Sequence, residues 1–466
     1  MNEEKTIVEQ LKEELCLDLK NSALIMEDEE IIAADNFSEG YKAFLTQCKT
    51  EREATAFAVK AAQDRGFVPF DSKKKYKAGD KVYYVNRAKA IILATFGKKS
   101  LGEGVRMVAS HIDAPRLDIK PNPLYEDSEL ALLKTHYYGG IKKYQWVAIP
   151  LALHGLVVLK DGTSLEVTIG EREDEPKFVI TDLLPHLGAE QAKRPLSEGI
   201  KGEELNVLIG SRPFKSDTGS ELVKLNILKL LNEKYSMIEA DFLSAEFEMV
   251  PAYPASDIGL DRSMIGAYGH DDRVCAYPSL QAALECDNPE YTAVTVLTDK
   301  EETGSAGNTG LESAYLRDFI ADLAAGQDMR ARDVLRKSKC LSADVNAAFD
   351  PTFPNVHDKL NAAYINKGIV VTKYTGSRGK GGTSDASAEF MGEIRSLFDK
   401  AGIIWQTGEL GKVDEGGGGT VAQYVANLDV DVVDVGVAVL SMHAPFEVVS
   451  KLDVYMAYKA FKAFLV

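Results

Sequence analysis

Residues 291–302 read YTAVTVLTDKEE, an apolar run of strand length that ends directly in four charged side chains. After Asp271, such runs alternate with helical stretches, which is typical of an α/β sheet with helices on both faces. The predicted strands are 291–297, 339–343, 368–374, 403–405 and 432–440, and the predicted helices are 273–285, 311–325, 384–401, 421–428 and 454–465. Open α/β sheets bind ligands in the loops beyond the carboxyl ends of their strands. The charged end of the first strand is therefore a candidate site.

Upstream of this alternation the pattern of the chain changes twice. The N-terminal part favours helices, including one over 51–65, and strand-like runs follow at 82–85, 90–94 and 105–110. Between about residues 122 and 250, the pattern becomes one of short strands separated by turns. This predicts a smaller, separate β-rich subdomain.

The length and composition are those of a folded protein of two or three domains, and its charge is strongly negative. The chain has 466 residues, 45% of them hydrophobic and 27% charged, with 54 basic and 71 acidic side chains and a net charge of −17. This charge disfavours nucleic acid and anionic membrane surfaces as partners. The longest apolar stretch, 146–159, is interrupted by Pro150, so no membrane span is predicted. The N-terminus lacks the pattern of a secretory signal, and a cytoplasmic location is the expectation.

Polar residues that can bind metal recur at the ends of the apolar runs or at the start of a helix. They are His111 with Asp113, the segment His270-Asp271-Asp272, Glu301 with Glu302, Asp344, and His443. In an extended chain the side chains of His111 and Asp113 project to the same side, so Asp113 can hold the far ring nitrogen of a metal-bound His111. Taken singly, each candidate is explained by a strand-end histidine, a helix cap or a solvated turn. Their recurrence predicts that the sheet gathers them on one side.

The number and chemistry of these side chains suit two metal ions. Imidazole and carboxylate ligands without thiolate are typical of zinc, manganese or cobalt catalytic sites, and the five cysteines form no CxxC pair. A tetrahedral catalytic zinc keeps only about three protein ligands. Five ligands instead suit two ions about 3.5–4 Å apart that share one carboxylate.

At these residues the sequence resembles the aminopeptidase I and aspartyl aminopeptidase family of dinuclear zinc exopeptidases. The matching segments, in the family's order, are His111-Ile112-Asp113-Ala114-Pro115, Asp271-Asp272, Asp299-Lys300-Glu301-Glu302-Thr303-Gly304-Ser305, Ser342-Ala343-Asp344 and Ser441-Met442-His443. Asp272 stands where the family commonly has Asn. Both adjacent carboxylates are therefore candidates to span the metals, and the alignment favours Asp271.

The resemblance implies an activity and a role for each residue. His111 and Asp344 would bind one zinc ion, Glu302 and His443 the other, and Asp271 both. Glu301 would act as general base and then general acid toward a metal-activated bridging water that attacks the N-terminal peptide bond of a peptide. Asp113 would orient His111, and cobalt or manganese could substitute for zinc.

The resemblance also implies the domain order and the assembly. A catalytic α/β domain with a mixed sheet, residues 1–121 and 251–466, would be interrupted by a smaller β-rich dimerisation domain, residues 122–250. Family members form homo-oligomers, dodecamers built from dimers. A histidine of the second domain would reach a neighbouring subunit's site, and His186 is the candidate here, although Glu190 competes for that alignment position.

Substrate-binding residues are predicted from the residues near the sheet. Lys373 could receive a substrate carboxylate, and the glycines of the loop 415–419, including Gly417 and Gly418, allow close backbone approach. A solvated lysine and an ordinary turn explain the same residues.

Other functions have less support. The chain contains no HExxH, no GxSxG and no complete GxxxxGK[ST]. A glycosidase built on the adjacent Glu301 and Glu302 conflicts with the carboxyl separation of about 5–9.5 Å that such enzymes need. A dinuclear amidohydrolase that removes acyl groups and a non-catalytic assembly protein on the same scaffold remain alternatives. An aminopeptidase requires a free α-amine in its substrate, which distinguishes it from the amidohydrolase. Bound metal distinguishes it from the non-catalytic assembly protein.

Overall fold

The computed structural model of the protein describes residues 5–466. Its helices are α1 (Ile7–Leu15), α2 (Asp28–Gln47), α3 (Glu51–Asp64), α4 (Leu222–Tyr235), α5 (His270–Leu284), α6 (Tyr315–Ala325), α7 (Ala331–Leu335), α8 (Ala388–Ala401), α9 (Ala422–Ala426) and α10 (Lys451–Leu465). None of the helices within this range has the length and apolar composition that a membrane span requires.

The strands are β1 (Val68–Pro69), β2 (Lys81–Asn86), β3 (Ala90–Thr95), β4 (Val105–His111), β5 (Arg116–Asp127), β6 (Leu130–Tyr138), β7 (Leu151–Val158), β8 (Ser164–Ile169), β9 (Val179–Ile180), β10 (Asn206–Gly210), β11 (Ala245–Pro251), β12 (Ser256–Ile258), β13 (Met264–Ala267), β14 (Thr292–Thr298), β15 (Lys339–Ser342), β16 (Asn346–Ala347), β17 (Ile369–Thr372), β18 (Trp405–Thr407), β19 (Asp431–Gly436), β20 (Ala438–Leu440) and β21 (Glu447–Ser450).

The main sheet is mixed and has helices on both faces, as predicted. Its order is β1-β2-β3-β14-β4-β15-β19-β17-β18, and the four central strands β14, β4, β15 and β19 run parallel to one another. Alternate residues of one strand enter opposite cores: Ile91 and Leu93 of β3 pack on the side of α5 and α10, while Ile92 packs on the side of α6. Burial on both faces explains why these strands read as nearly continuous apolar runs.

A second sheet lies between the two parts of the chain that build the first. Its seven strands, in the order β8-β7-β11-β5-β6-β10-β9, begin at Arg116 and end at Pro251. Its core contains the fully buried Trp146, and α4 packs on the same side. The β-rich pattern read from the sequence corresponds to this sheet, and its role in dimerisation remains a prediction.

One predicted strand, 432–440, is two strands that belong to different sheets. β19 ends at Gly436 in the main sheet, and β20 begins at Ala438 in a third sheet of order β12-β13-β21-β20-β16. The sequence DVVDVGVAVL hides this change because valines recur through both strands, which are largely buried. The break carries the chain from the main sheet toward His443.

Candidate metal centre

Three of the predicted ligands lie at one edge of the main sheet. His111 is the last residue of β4, which runs parallel to both of its neighbours, β14 and β15. Glu302 follows the end of β14, and Asp344 follows the end of β15. Because the carboxyl ends of parallel strands meet at the same edge, the three side chains converge.

The other two predicted ligands reach the same place from different elements. Asp271 lies at the start of α5, and His443 follows β20. The Oδ1 atom of Asp271 is 3.1 Å from Nε2 of His111, and its Oδ2 atom is 3.1 Å from Nε2 of His443. The structure therefore brings all five predicted ligands together, with Asp271 between the two histidines.

The distances and the donor set fit bound zinc. Nε2 of His111 lies 3.9 Å from Oδ1 of Asp344, and Nε2 of His443 lies 3.5 Å from Oε2 of Glu302. Two donor atoms that each lie about 2.0–2.2 Å from the same zinc ion are separated from each other by distances similar to these. Among residues 5–466, two groups of three donor atoms lie within 4.8 Å of one another: those of His111, Asp271 and Glu302, and those of His111, Glu301 and Asp344. Oε1 of Glu302 is buried without a hydrogen-bond partner among the described residues, as expected for an atom that awaits a cation.

The carboxylates of the cluster are crowded and buried. Burial, followed by the nearby charge of Asp271, raises the pKa of Glu302 well above its usual value. Burial, with Asp272 and Glu301 nearby, does the same to Asp344, and burial raises the pKa of Glu301 to about 7. Like charges in a poorly solvated site favour either protonation or a bound cation.

The two histidines present the same ring nitrogen to the cluster. Nδ1–H of His111 donates to the backbone carbonyl of Asp113 at 3.1 Å, and Nδ1–H of His443 donates to the carbonyl of Gly140 at 2.7 Å. Burial disfavours the charged ring of His443, but the hydrogen bond to Asp271 outweighs it and raises the pKa of His443 to about 10. Because a backbone carbonyl holds Nδ1, each ring presents Nε2 toward Asp271, and Nε2 would bind metal once it has lost its proton.

Asp113 is buried behind the cluster and organises the loop after β14. Its Oδ1 accepts the backbone N–H of Glu301, and its Oδ2 accepts the N–H of Glu302, both at 3.2 Å. The hydroxyl of Tyr138 donates to Oδ2 at 2.7 Å, and Oδ1 lies 3.3 Å from Nδ1 of His111. Asp113 contacts His111 as the sequence suggested, and it also fixes the backbone of the two glutamates.

Glu447 holds the backbone of two other proposed ligands in the same way, and sequence reasoning missed it. Its Oε2 accepts the backbone N–H of Asp271 at 3.1 Å, and its Oε1 accepts the N–H of His443 at 2.7 Å. Burial raises the pKa of Glu447 to about 8, and the two backbone donors act in the opposite direction. A carboxylate at the start of the buried strand EVVS was the signal that could have found it.

The adjacent Asp272 has a different environment from Asp271. The two residues are joined by a cis peptide bond. Oδ2 of Asp272 accepts the backbone N–H of His111 at 3.3 Å, and its Oδ1 is buried without a partner among the described residues. No contact joins Asp272 to His443, so its position is that of a support for His111.

A cavity of about 520 Å³ opens onto the cluster. Gly417 and Gly418 line it together with Glu301, and their contact with a substrate remains a prediction. Lys373 does not line it, and its ammonium group pairs with Asp385. His186 is exposed in the loop after β9, and no contact joins it to the cluster of its own chain.

The fold and the cluster together define an α/β protein with a candidate metal centre. Comparison with known proteins narrows this class. The family model described as aminopeptidase I zinc metalloprotease (M18) matches residues 44–465. The chain therefore belongs to the M18 family of aminopeptidases.

The similarity to individual members covers nearly the whole chain. A probable M18 family aminopeptidase 1 of Clostridium acetobutylicum is 48% identical over 460 residues, 97% of this chain and 99% of that protein. The crystal structure of an M18 aminopeptidase from Thermotoga maritima matches with a TM-score of 0.92 and 43% identity, over 96% of this chain and 99% of the other. The crystal structure of aminopeptidase I from Clostridium acetobutylicum matches with a TM-score of 0.92 and 47% identity, over 97% of this chain and 100% of the other.

Proposed function

We propose that the protein hydrolyses the N-terminal peptide bond of peptides at a centre that holds two zinc ions. His111 and Asp344 would hold one ion, Glu302 and His443 the other, and Asp271 both. The observation that carries this proposal is the position of Asp271, whose two carboxylate oxygens each lie 3.1 Å from a different histidine. Ions bound there polarise a carbonyl oxygen and lower the pKa of water.

Glu301 is the residue that moves the proton. Its carboxylate lines the cavity beside the ligands, and its backbone is held by Asp113. It takes a proton from the attacking water as the new C–O bond forms. It then gives that proton to the amine that leaves as the C–N bond breaks.

Replacement of Glu301 by Gln tests this role. The Glu301→Gln protein should keep its zinc content, because the five ligands are intact, and should lose about 10²–10⁴-fold in kcat. Metal analysis and turnover of an unblocked aminoacyl amide measure the two effects, with the exposed Glu312→Gln as the matched control. Full turnover by a fully loaded Glu301→Gln protein would exclude the assignment. Equal cleavage of N-acetylated substrates would favour the amidohydrolase alternative.

The protein is also proposed to be a homo-oligomer of twelve chains, a dodecamer built from dimers that form through the β-rich domain. The loop between β9 and β10 exposes Leu183, Leu184, Leu187 and Leu196 by 50–71%. Four exposed leucines in one loop support this proposal, because exposed apolar surface favours coverage by another protein. His186 lies among them and would reach a neighbouring subunit's site.

A further inference from the structure

The seven-stranded sheet reaches the metal centre at the end of β6. We call Tyr138, the last residue of β6, together with Gly139 and Gly140 the β6 end. The strand itself pairs with β5 and β10 inside the seven-stranded sheet. None of the five proposed ligands lies in the segment Arg116–Pro251, which contains this sheet. The β6 end is therefore a contact between the inserted sheet and a centre built by the rest of the chain.

Two hydrogen bonds join the β6 end to the surroundings of two proposed ligands. The hydroxyl of Tyr138 donates to Oδ2 of Asp113 at 2.7 Å, and the same oxygen accepts the backbone N–H of Glu302. The backbone carbonyl of Gly140 accepts Nδ1–H of His443 at 2.7 Å. The first bond acts on the loop that carries Glu302, and the second fixes the ring of His443. These two side chains are the proposed ligands of one and the same ion.

Gly139 packs directly on the side chain of Glu302. A Cβ atom at Gly139 would lie 3.2 Å from Oε2 and 3.3 Å from Cβ of Glu302. Oε2 is the carboxylate atom that lies 3.5 Å from Nε2 of His443. A side chain at Gly139 would therefore press on the carboxylate that faces the proposed ion.

The β6 end is held firmly by both parts of the chain. The guanidinium carbon of Arg116 lies 3.9 Å from the centre of the Tyr138 ring, a cation–π contact. Arg116 also lies 3.4 Å from a carboxylate oxygen of Glu51 and 3.2 Å from one of Glu248, and both glutamates are buried. Glu51 belongs to α3, which packs on the main sheet, and Glu248 belongs to β11 of the inserted sheet. The segment is thus a fixed support.

We infer that the residues of the β6 end are positioning residues for one of the two proposed ions, the ion that Glu302 and His443 would hold. This inference rests on the two-ion centre of the proposed function. Groups that orient metal ligands contribute to the affinity for the metal. No hydrogen bond among the described residues joins the β6 end to His111 or Asp344, the proposed ligands of the other ion. The inserted sheet thus supports the binding of one ion more than that of the other.

Cobalt titration of the full chain, freed of metal by a chelator, tests the inference. The visible absorption of bound cobalt follows each binding step and reports the coordination geometry. Gly139→Ala should weaken one step by about 10–100-fold, change its absorption, and leave the other step unchanged. Gly162→Ala is the matched control. Its φ of +86° is positive like the +73° of Gly139, so the backbone strain is similar, but nothing lies within 4 Å of the added Cβ.

Tyr138→Phe is the second variant and serves if Gly139→Ala does not fold. It removes only the hydroxyl, and the same step should weaken by about 3–10-fold. Tyr137→Phe, at the neighbouring residue with 42% exposure, should bind cobalt like the wild type.

Three results would overturn the inference: equal weakening of both steps, no change in either variant, or a single binding step in the wild type. The last result would also remove the two-ion centre of the proposed function. A wild type that binds two cobalt ions in separate steps and cleaves no unblocked aminoacyl amide would refute the proposed activity alone. The cobalt affinities of the variants would still decide the role of the β6 end.

Discussion

Asp113 and Glu447 hold the proposed ligands by their backbones. Each is a buried carboxylate whose two oxygens accept one N–H each, from Glu301 and Glu302 in the first case and from Asp271 and His443 in the second. A carboxyl group whose two oxygens bond different backbone N–H groups ties both segments to one buried side chain. The two carboxylates therefore fix the loops from which the ligand side chains project.

Replacement of Glu447 by Gln measures this contribution. The amide of glutamine has one oxygen that can accept a hydrogen bond, and its NH₂ group would face the other backbone N–H. Either Asp271 or His443 therefore loses its backbone hydrogen bond to this side chain. The affinity for zinc should fall by about 10–100-fold, while the fold persists. Competition with a chromogenic chelator measures the affinity, and the exposed Glu389→Gln is the control. An unchanged affinity would mean that the anchor is not needed.

Sequence reasoning proposed ligands that the structure brings together, but it missed Tyr138 and Glu447, which hold the surroundings of those ligands. His111, Glu302 and Asp344 each follow an apolar run, which is a local signal. Tyr138 and Glu447 bond to partners far away in the chain, Asp113 and Asp271. A sequence pattern around one residue does not predict a hydrogen-bond partner that lies far away in the chain. The structure also gives the two adjacent aspartates different surroundings, which the sequence left open.

At the scale of elements, β19 packs unusually close to the chain that follows β15. A Cβ atom at Gly436 would lie 1.7 Å from the backbone oxygen of Asp344. Any side chain at Gly436 would therefore push Asp344, a proposed ligand, away from the cluster. The glycine is required by this close approach of two backbones.

Alanine at Gly436 should lower the stability by about 1–3 kcal/mol and weaken zinc binding. Alanine at Gly392, inside α8, is the matched control, because nothing lies within 4 Å of its added Cβ. Gly392→Ala should stabilise the protein by about 0.5–1 kcal/mol. Urea unfolding and metal analysis measure both variants. Equal effects of the two substitutions would contradict the steric argument.

A second contact between elements joins α3 to the seven-stranded sheet. His154 of β7 is buried between two carboxylates, with Nδ1 2.7 Å from Glu53 and Nε2 2.8 Å from Glu171. The ammonium group of Lys49 also bonds Glu171, at 2.8 Å, and the carbonyl oxygen of Pro251 at 2.7 Å. Burial opposes the charge of His154, but the two glutamates outweigh it and raise the pKa of its ring.

The stability of this junction should depend on pH. Because the folded pKa of His154 is raised, its stabilisation is complete below the ordinary value of about 6.5 and is lost as the pH rises through the folded pKa. The urea midpoint of the wild type should fall between pH 6 and pH 9 more steeply than that of His154→Gln. At pH 6 the variant should be less stable by about 1–3 kcal/mol. The exposed His136→Gln is the control, and parallel pH profiles for the wild type and His154→Gln would contradict this account.

The elements themselves were largely readable from the sequence, but their sheet membership was less so. The runs behind β14 and β15 were recognised because strands buried on both faces are rich in apolar residues. The same property concealed the passage from β19 to β20, since a buried strand of one sheet looks like a buried strand of another. Only pairing between distant strands separates the two.

At the scale of the whole molecule, the exposed leucines of the β9–β10 loop predict assembly. Light scattering should give a mass of about twelve times the 50.9 kDa of one chain. Leu187→Asp places a charge in this loop and should yield smaller species, because a desolvated carboxylate without a partner opposes association. Leu360→Asp, at a leucine exposed elsewhere, is the control. A monomeric wild type at all concentrations would refute the assembly.

The anchoring of both ligand loops by Asp113 and Glu447 has a consequence for cofactor exchange. A metal site whose loops are held by the chain's own hydrogen bonds keeps its shape whether or not the ions are bound. The empty and filled forms should therefore superimpose at these loops, and one divalent ion should replace another without refolding of the chain. Which ion the protein carries would then reflect supply and coordination preference more than any demand of the fold.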